Sequence, residues 1–222
     1  MMAETPIPCR AEQIALEDRY TSGVYVKQPI VLSRGEGARV WDSDGTEYID
    51  CVGGHGVANV GHAHPAVVEA VARQAERLTI APNGFYNDQR SQLLKALLRI
   101  APADLERAYL CNSGAEAVEA AFKFARLSTG RTNIVSTMRG FHGRTMGALS
   151  ATWNSAYRTP FEPLVPGFAF VPYGRFKPLD EAVDDETAGV ILEVVQGEGG
   201  VNPGDGRVSV FGFGRALDLH SL

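Results

Sequence analysis

Residues able to do chemistry are concentrated in three short loops. The first reads Cys111-Asn112-Ser113-Gly114-Ala115-Glu116. Ser113 and Glu116 have the S-x-x-E spacing of a capping box, which satisfies two N–H groups where a helix begins. Gly114 lets a ligand approach the backbone, and the free first-turn N–H groups, with the helix dipole, suit a phosphate. The pattern lacks the Gly-Lys-Ser/Thr of a P-loop and is not G-x-G-x-x-G, so taken alone it fits a well-capped helix equally well. The second loop, Arg139-Gly140-Phe141-His142-Gly143-Arg144-Thr145, sets a ring, an imidazole and a guanidinium among glycines. Phe141 suits stacking on a flat cofactor and Arg144 suits a bidentate grip on a carboxylate; the plain alternative is a surface turn. The third runs from Glu193 to Gly200. Glu193 follows an apolar run, where a carboxylate needs a cation or a donor unless it is the wet end of a strand.

The elements around these loops alternate between strand and helix. Residues 35 to 50 place β-formers on both sides of Asp44-Gly45, the signature of a tight hairpin. A glycine-dense irregular loop, CVGGHGVANVGHAHP, follows. Val68, Val71, Ala72, Ala75 and Leu78 then recur at helical spacing behind Pro65, and Leu93, Leu94, Leu97 and Leu98 mark a second helix, from about Ser91 to Ile100, before Pro102. A third helix follows Ser113, with Ala117, Val118, Ala121, Phe122 and Ala125 as its core face and Gly130 as its C-terminal cap. Arg107 to Cys111, Asn133 to Thr137, Phe168 to Val171 and Ala188 to Val195 read as strands. Strands separated by helices imply an α/β fold with a mostly parallel sheet, whose ligands gather beyond the strands' carboxyl ends.

Composition narrows the function classes. The 222 residues carry 21 Lys+Arg and 26 Asp+Glu, a net charge of -5 without a basic run, which argues against nucleic-acid or anionic-membrane binding. The three cysteines, Cys9, Cys51 and Cys111, form no C-x-x-C pair, so a cytoplasmic location is expected rather than a disulfide framework. No signal peptide and no run of about 20 apolar residues is read. His55, His62 and His64 offer H-x-H spacing without a fourth ligand, and no metal is expected there.

Taken together, Asn112 to Ala121, Gly140 to Thr145 and Glu193 to Gly200 resemble the class III aminotransferases, pyridoxal-phosphate enzymes of fold type I. Upstream, Thr21 to Tyr25, Ala38 to Asp42 and Asp50 to Ala58 extend the resemblance, which runs from about residue 15 to 203. It is nearest the branch acting on acetylornithine or carrier-linked aminoadipate semialdehyde. The resemblance implies that Ser113, Gly114 and Ala115 receive the phosphate of pyridoxal 5'-phosphate and that Phe141 stacks on its ring, with Glu193 nearby. Arg144 is implied to grip the substrate α-carboxylate, and Glu198 to swing aside for one of the two substrates. Glutamate or 2-oxoglutarate, acetylornithine or carrier-linked lysine, and a homodimeric partner are likewise implied.

The departures are as specific as the match. Family chains continue into an aspartate strand and a Schiff-base lysine, whereas Lys27, Lys95, Lys123 and Lys177 stand in no such context. The expected organisation is an N-terminal segment over 1–60 with the hairpin and glycine loop, a partial cofactor domain over 61–203, and an unrelated tail over 204–222 from a frameshift or truncated gene. On this reading the chain is inactive and poorly soluble through an exposed apolar sheet edge. A non-catalytic phosphate-ligand-binding or interaction remnant is the alternative.

Overall fold

The computed structural model describes residues 8–102 and 105–204, so the tail expected over 204–222 lies, but for Gly204, outside the described residues. The chain divides into two compact units, residues 1–92 and 93–222.

The first unit opens with helix α1 (Arg10–Tyr20) and an antiparallel meander of β1 (Leu32–Glu36), β2 (Arg39–Asp42) and β3 (Glu47–Ile49). The expected hairpin turn is present, with Gly45 at φ 85°. Buried Asp42 fixes it by accepting from the amides of Asp44 and Thr46, at 3.0 and 2.8 Å, and from the Tyr48 hydroxyl at 2.8 Å. The glycine loop is irregular as expected: its only helical turn, α2 (Gly53–Gly56), carries positive φ at Gly54 and His55. Asp50 ties the loop down, accepting from Val52 and Gly53 amides and meeting His62 Nε2 at 2.6 Å. The His62 bond and these amides hold the Asp50 carboxyl down at about 2. His64 caps α3 (Pro65–Arg77), with Pro65 at its first position. Of the histidine triplet, therefore, two rings have structural partners. The apolar face read for α3 is not buried, since Val68 and Val71 are exposed.

Helix α4 (Asp88–Ile100) starts earlier than the leucine spacing suggested, because the Asn87 side chain accepts from the Arg90 amide at 2.9 Å and caps it. In the second unit α5 (Gly114–Thr129) begins at Ser113, whose hydroxyl accepts from the Glu116 amide at 3.2 Å, and ends at Gly130 in the left-handed region, φ 69°. The reciprocal capping bond is displaced by one residue: Glu116 accepts from the Asn112 amide at 2.6 Å. Phe122 is buried and Val118 and Ala125 pack beside it, but Ala117 and Ala121 of the expected core face are exposed.

A three-stranded parallel sheet in the order β5-β4-β6 is built from β4 (Asn133–Thr137), β5 (Phe168–Val171) and β6 (Thr187–Val190). Alternate residues of β4 face opposite sides. Ile134 joins Phe122 and Ala151, so α5 and α6 (Met146–Ala151) cover one face; Val135 joins Val171 and Leu179, so α8 (Phe176–Ala182) covers the other. Between α6 and β5 lies the short helix α7 (Ser155–Arg158).

Two expected strands are corrected. Arg107 to Cys111 pairs with nothing among the described residues: both flanks of β4 are taken, and Tyr109 and Leu110 are exposed. The run from Ala188 to Val195 is not one strand. It leaves the ladder after Val190, and Val195 instead opens the two-residue β7 (Val195–Gln196), paired antiparallel with β8 (Asn202–Pro203).

Phe122→Ala is expected to cost about 3–5 kcal/mol by removing a buried ring. Phe124→Ala, which loses only an exposed edge contact with Tyr109, should cost about 1 kcal/mol in the same urea unfolding series.

Candidate functional site

The loop after β4 meets the segment after β6 at the sheet's carboxyl end. The Phe141 amide donates to Glu193 Oε2 at 3.1 Å, which supplies the donor that Glu193 requires. Gln196 is buried and its Nε2 donates to the Met138 carbonyl at 2.8 Å and to Thr137 Oγ1 at 3.2 Å. Gly199 passes so close that a Cβ there would lie 2.6 Å from the Arg139 carbonyl oxygen. Arg139 itself is held at φ 65°. That left-handed conformation costs a non-glycine residue about 1 kcal/mol.

Glu119, one turn into α5, secures the other end of the loop. Its Oε1 accepts from Thr145 Oγ1 at 2.6 Å and from the amides of Gly147 and Ala148 at 2.9 and 3.2 Å. Thr145, the N-cap of α6, makes no side-chain cap of its own, so a neighbouring helix satisfies these donors. A Cβ at Gly147 would lie 2.4 Å from Glu119 Oε2, so a larger residue would push the Glu119 carboxylate off these donors. At Gly143, φ 134°, an added Cβ would lie 3.1 Å from Ala115 Cβ, which places the start of α5 directly against the Arg144 loop.

Ser113 accepts from the Glu116 amide on its hydroxyl and from the Ala117 amide on its carbonyl, leaving the Gly114 and Ala115 amides for an anion. The space around Gly114 is open, with no atom within 4 Å of an added Cβ. A cleft of about 350 Å³ lies beside the second loop, and Phe141 and Glu198 both line it. Glu198 Oε1 accepts from the Tyr157 hydroxyl at 2.9 Å; that bond and the Glu198 charge raise the Tyr157 phenol above its ordinary range. The Phe141 and Tyr157 rings meet edge to face at 6.2 Å. Arg144 is exposed and is not among the lining residues. Cys9, Cys51 and Cys111 are free thiols. No group of three or more His, Cys, Asp or Glu side chains suited to a metal ion occurs among the described residues.

His142 is the half-buried titratable group of this loop. Its amide donates to Thr152 Oγ1 at 3.0 Å, while Nε2 is buried without a partner. Burial lowers its pKa from 6.5 to about 4.

Sequence reading missed Glu119, Tyr157 and Gln196. Glu119 looks like an ordinary helix acid, because its partners stand 26 to 29 residues away and no local spacing encodes them. Tyr157 and Glu198 are 41 residues apart, and only the folded sheet brings them together.

Glu119→Ala strands three donors and is expected to cost about 2–3 kcal/mol in denaturant unfolding, with Glu119→Gln between it and the parent. His142 favours the fold only as the neutral ring. Its contribution is complete above pH 6.5 and is lost as pH falls through about 4. Across that window the unfolding midpoint of the parent should fall more steeply than that of His142→Phe.

Known proteins resemble this chain in sequence and in fold. The class III aminotransferase family matches the chain over residues 21–208. An acetylornithine aminotransferase of Methanopyrus kandleri is 52% identical over 211 residues, 93% of this chain and 53% of that protein. A LysW-aminoadipate semialdehyde transaminase of Deinococcus radiodurans is 52% identical over 192 residues, 86% of this chain and 45% of its own length. The solved ornithine aminotransferase of Toxoplasma gondii ME49 superposes with a TM-score of 0.85 at 34% identity, over 92% of this chain and 50% of that one. The chain thus spans about half the length of the relatives it matches. With a match across most of its residues and a parallel α/β sheet in common, the chain belongs to the class III aminotransferases.

Proposed function

We propose that this chain forms the phosphate- and ring-binding part of a pyridoxal-phosphate transaminase. The reaction moves an amino group between glutamate and a terminal aldehyde, either LysW-aminoadipate semialdehyde or N-acetylglutamate semialdehyde. The names of the two relatives at 52% identity support these substrates. The observation that carries the reading is the approach of Ala115 to Gly143, which sets an anion-binding helix start against the loop of Phe141 and Arg144. The cofactor-binding part falls in residues 61–203, and the working assembly is a cytoplasmic homodimer.

The residues present fit the cofactor. Gly114 and Ala115 amides, with Ser113 beside them, would hold its phosphate, and open space at Gly114 leaves room for it. Phe141 would pack on the ring, its backbone fixed by Glu193. When bound, the cofactor takes up the electrons released as the C–H bond next to the amino nitrogen breaks. Arg144 holds the α-carboxylate so that this bond is oriented for cleavage. Glu198, restrained by Tyr157, faces the cleft and separates one substrate from the other.

No lysine is among the residues lining the cleft. On this reading the chain alone binds cofactor and substrate without completing transfer, and the same observation favours the second reading, a phosphate-ligand binder. Sustained conversion of glutamate to 2-oxoglutarate by the isolated chain with cofactor would contradict the binding-only role.

The chain is expected to bind pyridoxal phosphate more tightly than pyridoxal. Gly114→Val should weaken cofactor binding about tenfold, or 1.4 kcal/mol, with its unfolding midpoint unchanged. Equal affinity for the two vitamers in equilibrium dialysis would contradict the phosphate assignment.

A further inference from the structure

The three segments that leave the sheet's carboxyl end are tied to one another, and one of the ties has no part in the roles given above. Just past β4, the Met138 amide donates to the Val171 carbonyl at the end of β5 at 2.9 Å, and Gln196 Nε2 donates to the Met138 carbonyl. Past β6, Glu193 accepts from the Phe141 amide of the loop after β4. Tyr173, two residues beyond β5, closes the remaining side. Its hydroxyl donates to the Glu193 carbonyl at 2.9 Å and to the Val194 carbonyl at 3.0 Å. A phenol has one O–H to give, so this donor is shared between two successive peptides. With the sheet ordered β5-β4-β6, Tyr173 spans the end of the strand that carries the Phe141 loop.

The Glu193 peptide is where such a bond matters most. Upstream, the segment is anchored by the Ile191 amide on the Val135 carbonyl at 2.8 Å; downstream, the Val194 carbonyl also accepts from the Gly204 amide at 2.9 Å. Tyr173 holds the stretch between these anchors, which has left the ladder of β6. Turning the Glu193 peptide would swing its carboxylate away from the Phe141 amide. The hydroxyl of Tyr173 therefore acts on Phe141 through Glu193, across two hydrogen bonds that start in different loops.

We propose that Tyr173 is a positioning residue for the ring-binding half of the site: by fixing the Glu193 peptide it sets the carboxylate against the Phe141 amide, and so fixes the ring that Phe141 presents to the cofactor. A supporting shell of this kind holds a binding side chain in its productive geometry before the ligand arrives. The inference rests on the transaminase reading for naming the cofactor, whereas the tether needs no ligand. The Gly114 and Ala115 amides belong to α5 and take no part in it, so ring binding and phosphate binding respond separately.

The test uses the full chain and Tyr173→Phe, which keeps the ring and removes only the hydroxyl. Pyridoxal phosphate, pyridoxal and inorganic phosphate are each measured by equilibrium dialysis at constant ionic strength, and amide exchange is followed residue by residue without ligand. Tyr173→Phe should weaken pyridoxal and pyridoxal phosphate about fivefold, the worth of one hydrogen bond, and leave inorganic phosphate unchanged. The Phe141 amide should exchange about fivefold faster, while the Gly147 amide, held by Glu119, keeps its rate. In a Glu193→Ala background the same substitution should weaken pyridoxal no further, because both act through one tether. A merely structural role would loosen Gly147 with Phe141 and weaken phosphate with pyridoxal. Unchanged Phe141 exchange, equal loss of inorganic phosphate, or full additivity with Glu193→Ala overturns the proposal. Should the parent chain bind neither pyridoxal nor pyridoxal phosphate, the cofactor reading fails alone, and faster Phe141 exchange in Tyr173→Phe still supports the tether.

Discussion

Between the end of β4 and the start of α6 the backbone has little regular structure to satisfy it, and side chains from elsewhere supply the bonds. Glu193 takes the Phe141 amide, Gln196 takes the Met138 carbonyl, and Glu119 takes Thr145, Gly147 and Ala148. Each is a polar group within a part-buried region, where an unmade bond costs more than a made one returns. The chemistry-bearing residues depend on these bonds, because Phe141, His142 and Arg144 all lie on the tethered stretch.

The sheet explains why those tethers can reach. Helices α5 and α6 share the face of Ile134, so Glu119 stands beside the first turn of α6. Strand β6 lies next to β4, so the chain leaving it delivers Glu193 and Gln196 to the loop. Small residues close the remaining gaps: Gly143, Gly147 and Gly199 each occupy a spot where a Cβ would press on a neighbour at 3.1 Å or less. A preorganised site of this kind places donors before a ligand arrives, so less ordering is left to binding.

Features of the fold that depend on neighbours in sequence were legible there. The Asp44-Gly45 hairpin, Pro65 at a helix start, Ser113 and Gly130 at the two ends of α5, and the strands at Asn133 and Phe168 all follow from local chemistry. Features that depend on distant partners were not. Arg107 to Cys111 has a strand's composition but pairs with no strand among the described residues, and the apolar run after Ala188 leaves the ladder past Val190, where Glu193 is drawn to the Phe141 amide instead. The same division holds in the site. Motif residues were readable, whereas Glu119, Tyr157 and Gln196 gain their meaning only from contacts across the fold.

Residue-resolved hydrogen exchange on the intact chain tests the central claim, that these side-chain bonds hold the loop without help from a ligand. The Phe141, Gly147 and Ala148 amides should exchange as slowly as those of Ile134 and Val135 in the buried strand, and Glu119→Ala should release Gly147 and Ala148 while sparing Phe141. Exchange of all three at the rate of the exposed turn around Gly45 would contradict it.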